Sequence, residues 1–463
     1  MAHVLALRAG QGKGLSACFL TARAGASPGA GMGRTYDIDP DDYVREKPGR
    51  QFLVRTEAYT DRDVFDLEMR RVFERTWVYV GHETELPSAG SFKTAQVGRQ
   101  PIVVVRGKEG ELHAFFNRCV HRGAALLREA AGCVQELRCP YHGWVFDLSG
   151  KTRLVSERND PGGYGPDFEQ PEGLEPVPRL GSYRGLVFVS LDPDIVPLET
   201  YLGSMKHIID AKLDLSPTGR IAIASTPYVC RYPGNWKLQA ENIVDAYHFM
   251  HTHGAFVKLQ AKFGDSTGDF GVHKGRSTRE MREQRFRGTT RSCRYGHGFA
   301  QVPAADTDGL LDGEFGDLYR GLHAQHGQEA FERIAAKATS TVFPSMGMIH
   351  QQIRVWRPIS VDETEVLIYP YELEGAPDAF NAGMLRSQER FYGPSGFGMV
   401  DDTEIFARVS QGLRADRVEW LLFDRGMDTD EQTGEGDYRG LPSSEAPQRA
   451  LWREWRRLMG QGA

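Results

Sequence analysis

The spacing of apolar residues changes along the chain and predicts where helices and strands lie. Apolar residues recur at helical spacing from Phe65 to Phe73. Thr60 and Asp63 have the pattern of a capping box, which predicts that this helix begins at Thr60. From Trp77 the pattern changes to short β-branched and aromatic runs separated by glycines, at residues 77–80, 101–106, 112–117, 144–148 and 185–191. This part of the chain is therefore predicted to be a small all-β module.

The second half of the chain mixes the two periods. Residues 328–337 and 448–458 have the apolar spacing of helices. Residues 340–356 and 364–371 have the β-branched content of strands, and these strands could form the floor of a pocket. We therefore expect helices and strands together in this half.

Length and composition restrict the function classes. The chain has 463 residues, a mass of 51.8 kDa and 40% hydrophobic residues, which is enough for two or three domains. A net charge of −6 and a pI near 6.2 do not favour binding to nucleic acid. No apolar run approaches the roughly 18 residues that a membrane span needs. We therefore expect neither nucleic acid nor a membrane as a partner.

Cysteine usage and the first residues bear on location. The six cysteines are scattered and too few for a disulfide framework, which predicts a reducing, cytoplasmic compartment. Residues 1–31 are rich in glycine and alanine and contain no acid. They predict a disordered extension, or sequence upstream of a start at Met32. A signal or transit peptide is the alternative interpretation.

Two pairs of cysteine and histidine form the most specific motif. Cys119-Val-His121-Arg-Gly is followed, after fifteen residues, by Cys139-Pro-Tyr-His142-Gly-Trp. Two thiolates and two imidazoles on separate loops could hold a structural zinc ion. The spacing instead matches a Rieske 2Fe-2S centre, in which two cysteines bind one iron and two histidines bind the other. We predict this cluster, with zinc as the alternative.

A second group of ligand types lies within residues 235–254. It comprises Glu241, Asn242, Asp245, His248, His251 and His253. If the chain is helical from Trp236 to His248, Asp245 and His248 share one face. His253 lies off that face, so the helix is predicted to unwind near Thr252, with Gly254 in a left-handed conformation. Two histidines could then meet at one ion, although ordinary surface or core histidines remain the alternative.

A non-haem iron(II) site needs a carboxylate beside two such histidines, with open positions opposite. Asp401 and Asp402 precede an apolar stripe at helical spacing and are the candidates. The dipole of a helix also favours acids at its start, so a purely structural role is the alternative.

Arginines are crowded between residues 274 and 294, at Arg276, Arg279, Arg282, Arg285, Arg287, Arg291 and Arg294. They could clamp the carboxylate of a substrate, since guanidinium groups bind carboxylates well. A solvated loop or a subunit surface is the alternative.

From about Arg55 to about Gly412, the sequence resembles the large (α) oxygenase subunit of the Rieske non-haem iron aromatic-ring-hydroxylating dioxygenases. The motifs that carry the resemblance are the two cysteine–histidine pairs, Asn235-Trp-Lys, Glu241-Asn242, Asp245-x-x-His248-x-x-x-x-His253 and Asp401-Asp402. The resemblance implies an α+β fold. It places a small all-β Rieske domain at residues 77–191 and a catalytic domain, a large antiparallel sheet flanked by helices, at residues 192–463. Residues 32–76 are expected to pack with the catalytic domain.

The resemblance also implies two iron centres per subunit. The Rieske 2Fe-2S cluster would be bound by Cys119, His121, Cys139 and His142, and the mononuclear Fe(II) by His248, His253 and Asp402. Asp402 is preferred to Asp401 because of the ligand's position in the family's paired acids. Asp245 would be a bridging carboxylate between an iron-bound histidine and a Rieske histidine of the neighbouring subunit, which fixes both tautomers. His251 is expected to be no ligand.

The implied enzyme is a terminal oxygenase that uses O₂ to dihydroxylate an aromatic substrate, with an aromatic acid expected. A flavin reductase would take electrons from NADH or NADPH and pass them on, directly or through a ferredoxin. The family assembles as a trimer of α-subunits, with or without β-subunits. The alternatives are a Rieske monooxygenase, acting as a ring hydroxylase or a demethylase, and a Rieske electron carrier without oxygen chemistry.

Overall fold

The computed structural model describes residues 37–263, 286–393, 396–434 and 436–460, together with Arg279 and Glu283. The extension predicted for residues 1–31 lies outside these residues. No helix in the described ranges has the length and apolar character needed to cross a membrane.

The segment before Trp77 forms a hairpin and short helices. Its strands are β1 (Val44–Lys47) and β2 (Gln51–Arg55), and its helices are α1 (Glu57–Thr60) and α2 (Arg62–Glu68), followed by a π-helical turn (Met69–Phe73). The predicted helix start at Thr60 is wrong. The Asp61 side chain accepts hydrogen bonds from the backbone N–H groups of Asp63 and Val64, so Asp61 caps α2.

A small all-β module follows, as predicted. Its strands are β3 (Val78–His82), β4 (Ser91–Val97), β5 (Gln100–Arg106), β6 (Leu112–Phe116), β7 (Ala131–Cys133), β8 (Leu137–Arg138), β9 (Val145–Phe146), β10 (Thr152–Leu154), β11 (Arg179–Tyr183) and β12 (Leu186–Ser190). They form three antiparallel sheets with the strand orders β6-β5-β4-β7, β10-β9-β8 and β11-β12-β3.

The second half is built on a ten-stranded sheet. Its strands are β13 (Ile221–Ile223), β14 (Tyr228–Pro233), β15 (Thr289–Ser292), β16 (Gly298–Val302), β17 (Lys337–Val342), β18 (Met346–Ile349), β19 (Gln352–Ser360), β20 (Glu363–Leu373), β22 (Glu431–Gln432) and β23 (Tyr438–Gly440). Their order is β13-β20-β19-β18-β17-β16-β15-β23-β22, with β14 also paired to β20, and every pair is antiparallel. A short strand, β21 (Trp420–Leu422), pairs with β2.

Helices cover both faces of this sheet. They are α3 (Leu198–Leu202), α4 (Lys206–Leu213), α5 (Trp236–Asn242), α6 (Phe249–Thr252), α7 (Gly254–Phe263), α8 (Thr307–Asp312), α9 (Gly316–His326), α10 (Gln328–Ala335), α11 (Asp378–Tyr392), α12 (Phe397–Gly412) and α13 (Ala446–Met459). Successive residues of a strand point to opposite faces. In β20, Val366 and Ile368 therefore join the core formed with α5 and α13, whereas Leu367 and Tyr369 join the core formed with α4.

A buried carboxylate connects three parts of the core that contains α5 and α13. Glu68, at the end of α2, pairs with the Lys237 ammonium of α5, and both side chains are 0% exposed. It also accepts hydrogen bonds from the indole N–H groups of Trp236 (2.8 Å) and Trp455 (2.7 Å). The N-terminal segment, α5 and α13 are thus held together by one carboxylate.

Replacing Glu68 with Gln is expected to lower the free energy of unfolding by about 3–5 kcal/mol, because the Lys237 ammonium stays buried without its counter-charge. Urea unfolding followed by tryptophan fluorescence measures the change. Glu199→Gln is the matched control, since Glu199 is 71% exposed and its pair with Lys206 is expected to contribute about 0–1 kcal/mol. Equal unfolding midpoints for the two variants would contradict the assigned role of Glu68.

Candidate active site

The two cysteine–histidine loops have the same backbone geometry. The N–H of Gly123 donates to the carbonyl of Cys119, and the N–H of Gly143 donates to the carbonyl of Cys139, both at 3.0 Å. Both glycines have positive φ, 74° and 71°, a conformation that side-chain-bearing residues rarely adopt. The glycine that ends each motif is therefore required for the turn that presents the cysteine and the histidine.

The four side chains of these loops converge. Cys119 and Cys139 are 1% and 2% exposed, and the rings of His121 and His142 lie 4.6 Å apart between centroids. The Nδ1 atoms of both histidines are buried and have no hydrogen-bond partner among the described residues. Two buried thiols and two imidazole nitrogens that lack a partner among the described residues are thus brought to one place.

Aromatic side chains surround the two histidines. Trp144 stacks on His121 with its ring 5.1 Å away and nearly parallel, and Tyr141 lies 3.7 Å from the ring of His142. The Tyr164 hydroxyl is 3.4 Å from Nε2 of His121. Tyr141 is 57% exposed, so this end of the module faces the outside of the described structure.

The second group of ligand types also converges. His248, His253 and Asp402 each offer one ligand atom, and these atoms lie within 4.8 Å of one another. Oδ1 of Asp402 is 3.3 Å from Nε2 of His253 and 3.6 Å from Nε2 of His248. Asp401 takes a different position, with its Oδ2 3.1 Å from Nδ1 of His253. Two imidazoles and one carboxylate oxygen therefore point to one location, and Asp401 contacts the outer nitrogen of one imidazole.

The Asp245 carboxylate lies behind one of these imidazoles. Its Oδ2 is 3.4 Å from Nδ1 of His248, and its Oδ1 accepts a hydrogen bond from the backbone N–H of Tyr247. Burial opposes a charge on His248, but the neighbouring carboxylates, above all Asp245, outweigh it and raise the pKa of His248. Asp245 is 28% exposed, so it reaches both the site and the surface.

The backbone of this segment differs from the prediction. A helix is predicted for residues 236–248, but α5 ends at Asn242 and the chain turns before His248. A second break lies at His253, whose φ and ψ of −95° and 27° end α6. Gly254 does not have the predicted left-handed conformation, because it begins α7. These two breaks, rather than one, bring the histidines together.

The two candidate acids lie inside a helix. The helix α12 begins at Phe397, so the prediction that Asp401 and Asp402 lie at a helix start is wrong, and the dipole explanation does not apply. Neighbouring residues on a helix point about 100° apart, so only one of the two can face the histidine Nε2 atoms. Asp402, which is 4% exposed, has this position. The Asn242 amide N–H donates to its Oδ1 at 3.3 Å.

A cavity of about 410 Å³ adjoins this group, and His248, His253 and Asp402 lie in its wall. Much of the remaining wall is apolar and includes Ile208, Leu215, Ile349, Phe380, Met384 and Phe391. A volume of this size and an apolar wall suit a small aromatic molecule.

Several cations also line the cavity, at Lys212, Arg333, Lys337 and Arg354. Burial lowers the pKa of Lys212 to about 7. His350, also in the wall, has its pKa lowered to about 3 by burial and by the neighbouring cations.

The possible arginine clamp of residues 274–294 is not formed by those of its arginines that are described. Arg279, Arg287, Arg291 and Arg294 do not line the cavity, and Arg276, Arg282 and Arg285 lie outside the described residues. Arg279 pairs with Glu283 at the surface.

Two protein families match this chain. The Rieske 2Fe-2S domain matches residues 76–166, and the catalytic domain of the ring-hydroxylating alpha subunit matches residues 221–461. The chain belongs to the α subunits of the ring-hydroxylating dioxygenases.

Known proteins similar to this α subunit include the alpha subunit of toluate 1,2-dioxygenase from Pseudomonas putida, 36% identical over 78% of this chain and 79% of that protein. The large subunit of 2-halobenzoate 1,2-dioxygenase from Burkholderia cepacia is 33% identical, over 81% of this chain and 80% of its own length. The solved structure of naphthalene 1,2-dioxygenase from Rhodococcus sp. bound to indole has a TM-score of 0.76 and 28% identity, covering 88% of this chain and 94% of that one.

These matches confirm the predicted fold class, the enzyme class and the two iron centres. The α subunit is an oxidoreductase with a Rieske 2Fe-2S cluster and a mononuclear iron. Enzymes of this family are terminal oxygenase components that work with oxygen and with reductase and ferredoxin partners. A zinc scaffold or a simple electron carrier does not explain the matched catalytic domain.

The residues present fit both groups. The buried Nδ1 atoms of His121 and His142 lack partners in the described ranges, which is the condition expected where each binds a metal. The His248, His253 and Asp402 donor set is the one that suits non-haem iron(II).

Sequence reasoning missed several residues of the two sites. Tyr141 and Tyr164 contact the cluster histidines, but aromatic residues in loops carry no distinctive signal. Arg354 and Lys212 line the cavity from β19 and α4. Arg354 gave one usable signal, since an arginine in an otherwise apolar strand pattern is unusual for a buried sheet.

Proposed function

We propose that the mononuclear iron is bound by His248, His253 and Asp402, and the cluster by Cys119, His121, Cys139 and His142. The observation that carries this proposal is the convergence of three ligand atoms within 4.8 Å in the wall of the cavity. The bound iron supplies the activation of O₂, and the cluster supplies electrons one at a time. Asp401 contacts the outer nitrogen of His253 at 3.1 Å, and the Asp245 carboxylate lies 3.4 Å from the outer nitrogen of His248, where each can orient its imidazole.

We propose domain limits of 77–191 for the Rieske domain and 192–463 for the catalytic domain. The segment 32–76 is assigned to the catalytic side, and the contacts of Glu68 with α5 and α13 support this assignment.

We propose that Asp245 connects His248 to a Rieske histidine of a neighbouring subunit in a trimer of α-subunits, with or without β-subunits. Two features support this. Asp245 reaches the surface behind His248, and the cluster histidines lie at an exposed end of the β module beside Tyr141. A hydrogen-bonded carboxylate at that position keeps both imidazoles in one tautomer and gives electrons a short route.

We propose that the electrons come from NADH or NADPH through a flavin reductase and, where present, a ferredoxin. A cytoplasmic location suits such partners. It agrees with the five described cysteines, all of which are free thiols, as expected in a reducing compartment.

We propose that the substrate is an aromatic acid. The two relatives at 36% and 33% identity act on toluate and 2-halobenzoate, and the cavity combines an apolar wall with cations. The reaction adds both atoms of O₂ to adjacent ring carbons, with two electrons and two protons, and gives a cis-dihydrodiol.

The ligand assignment predicts different iron contents for protein variants at the neighbouring acids Asp401 and Asp402. Asp402→Ala is expected to lower the iron content from about three to about two per chain while the Rieske EPR signal is retained. Asp401→Ala, one residue away on α12, is the control and is expected to retain about three. The opposite result would show that Asp401 is the ligand.

If Asp245 is the bridge, replacing it should slow electron transfer while leaving both metal centres intact. Asp245→Asn is expected to keep iron and sulfide contents unchanged and to slow single-turnover reoxidation of the dithionite-reduced enzyme by at least about 10-fold. The return of the visible absorbance of the oxidised Rieske cluster after mixing with O₂ and substrate measures this rate. His251→Gln, at an exposed histidine of the same segment, should leave the rate unchanged. A wild-type rate for Asp245→Asn would remove the bridge from the proposal.

The number of labelled oxygen atoms in the product distinguishes dioxygenation from monooxygenation. With reductase, NADH and ¹⁸O₂, the enzyme is expected to convert benzoate or 4-methylbenzoate to a dihydrodiol in which both added oxygens are labelled. Mass spectrometry of the product gives the answer. A product with one labelled oxygen would instead favour the monooxygenase alternative.

A further inference from the structure

An arginine in the cavity wall lacks the partner that its charge requires. Arg354 lies near the centre of the large sheet, where β19 pairs with β18 at Gly347 and with β20 at Ile368. It is 1% exposed and lines the same cavity as His248, His253 and Asp402. Its Nε and Nη2 atoms are buried and have no hydrogen-bond partner in the described part of the chain.

These two nitrogens form one edge of the guanidinium group, with parallel N–H bonds. Other arginines of this chain bind carboxylates with the same edge. Arg453 donates from Nε (3.1 Å) and Nη2 (2.5 Å) to the two oxygens of Glu46, and Arg457 does so to Glu454 at 2.8 and 2.5 Å. The edge that is unpaired in Arg354 is therefore the one that fits a carboxylate bidentately.

The charge of Arg354 cannot be removed by losing a proton, since arginine stays protonated in proteins. A buried cation without a partner is destabilising, so a position of this kind points to a ligand. Its nearest compensation is the ring of Tyr392, whose centroid lies 4.4 Å from the guanidinium carbon. Asp402 is near enough to influence the pKa of Arg354, but the two make no ion pair in the described structure.

The other cations of the cavity are less suited to this role. Arg333 is 48% exposed and already pairs with Glu329, and Lys337 is exposed. Lys212 has no hydrogen bond or ion pair within the described ranges, but burial lowers its pKa to about 7, so it carries only part of a charge at neutral pH. Arg354 alone among the four is both fully buried and permanently charged.

We infer that Arg354 binds the carboxylate of the aromatic substrate and so directs oxygenation to the ring carbon that carries it and to the adjacent carbon. This inference rests on the proposed function. C1 is bonded to the carboxylate carbon and C2 is its neighbour, so a carboxylate held at Arg354, in the wall of the cavity that His248, His253 and Asp402 also line, places these two carbons at the anchored end of the ring. Because both nitrogens are shielded from water, water competes little with the carboxylate for their N–H groups.

In this reaction one C–O bond forms at C1 and one at C2, and the ring loses one double bond. Both oxygens come from O₂. The two electrons come from the reductase, and two protons from solvent complete the hydroxyl groups. The Arg354 guanidinium makes no bond to the reacting atoms and serves to position the ring.

The test measures binding and regiochemistry on the iron-loaded enzyme. Equilibrium dialysis gives the Kd of benzoate and of nitrobenzene, which has the same shape but no charge. Arg354→Gln is expected to raise the Kd of benzoate by about 100-fold and that of nitrobenzene by less than about 3-fold, since it removes a buried charge from a hydrogen-bonded pair. Arg354→Lys keeps the charge but loses the paired N–H groups. Its Kd for benzoate should lie between those of the wild type and Arg354→Gln.

Iron and sulfide contents accompany every measurement. Arg231→Gln is the matched control, because Arg231 lies on β14 of the same sheet but is 57% exposed and pairs with Glu363. It should bind benzoate like the wild type. With wild-type enzyme, products oxidised at C1 and C2 are expected, whereas Arg354→Gln should shift residual product toward other ring positions.

Distinct results would overturn the inference. An unchanged Kd of benzoate in Arg354→Gln, or loss of selectivity in Lys212→Met instead, would place the anchor elsewhere while leaving the proposed function intact. Loss of iron in both Arg354 variants would indicate that Arg354 positions Asp402 for iron binding and does not bind the substrate. If the wild type neither binds nor oxidises benzoate, 4-methylbenzoate or 2-chlorobenzoate but oxidises neutral aromatics, the proposed acid substrate itself is wrong, and the inference with it.

Discussion

The buried pair of Glu68 and Lys237 is the interaction on which the active site depends. A charge in an apolar interior is strongly destabilising when alone, so α2 and α5 must stay in register for either charge to be tolerated. The indole N–H groups of Trp236 and Trp455 bind the same carboxylate and bring α13 into the arrangement. His248 follows the end of α5 at Asn242 by six residues, so the position of this helix restricts the position of His248.

The site lies between two environments, and this suits its chemistry. His253 and Asp402 are almost fully buried and face an apolar cavity, whereas Asp245 reaches the surface behind His248. The cavity therefore lies on one side of the His248 imidazole and the Asp245 carboxylate on the other, which suits the proposed route of electrons through Asp245. The apolar part of the cavity wall strengthens the electrostatic interactions of the buried groups beside it.

The cavity wall contains a buried charge that no counter-ion among the described residues balances. Two nitrogens of Arg354 have no hydrogen-bond partner there, although the same edge is paired with a carboxylate in Arg453 and Arg457. Proteins depart from full pairing of buried polar groups mainly at functional sites. The unpaired edge, the Tyr392 ring beneath it and the nearby Asp402 define where an anion would be held.

The sequence by itself determined the chemistry that is local. The cluster motif could be identified because each cysteine and histidine pair is presented by one tight turn, and the His248 and His253 spacing is likewise contained in one segment. Helix ends were less predictable, since Asp61 rather than Thr60 caps α2. Only the tertiary structure decided that Asp402 faces the two Nε2 atoms and that Arg354, not the described arginines of residues 274–294, lines the cavity. Those outcomes depend on packing between segments far apart in the chain, and spacing along a sequence does not encode that packing.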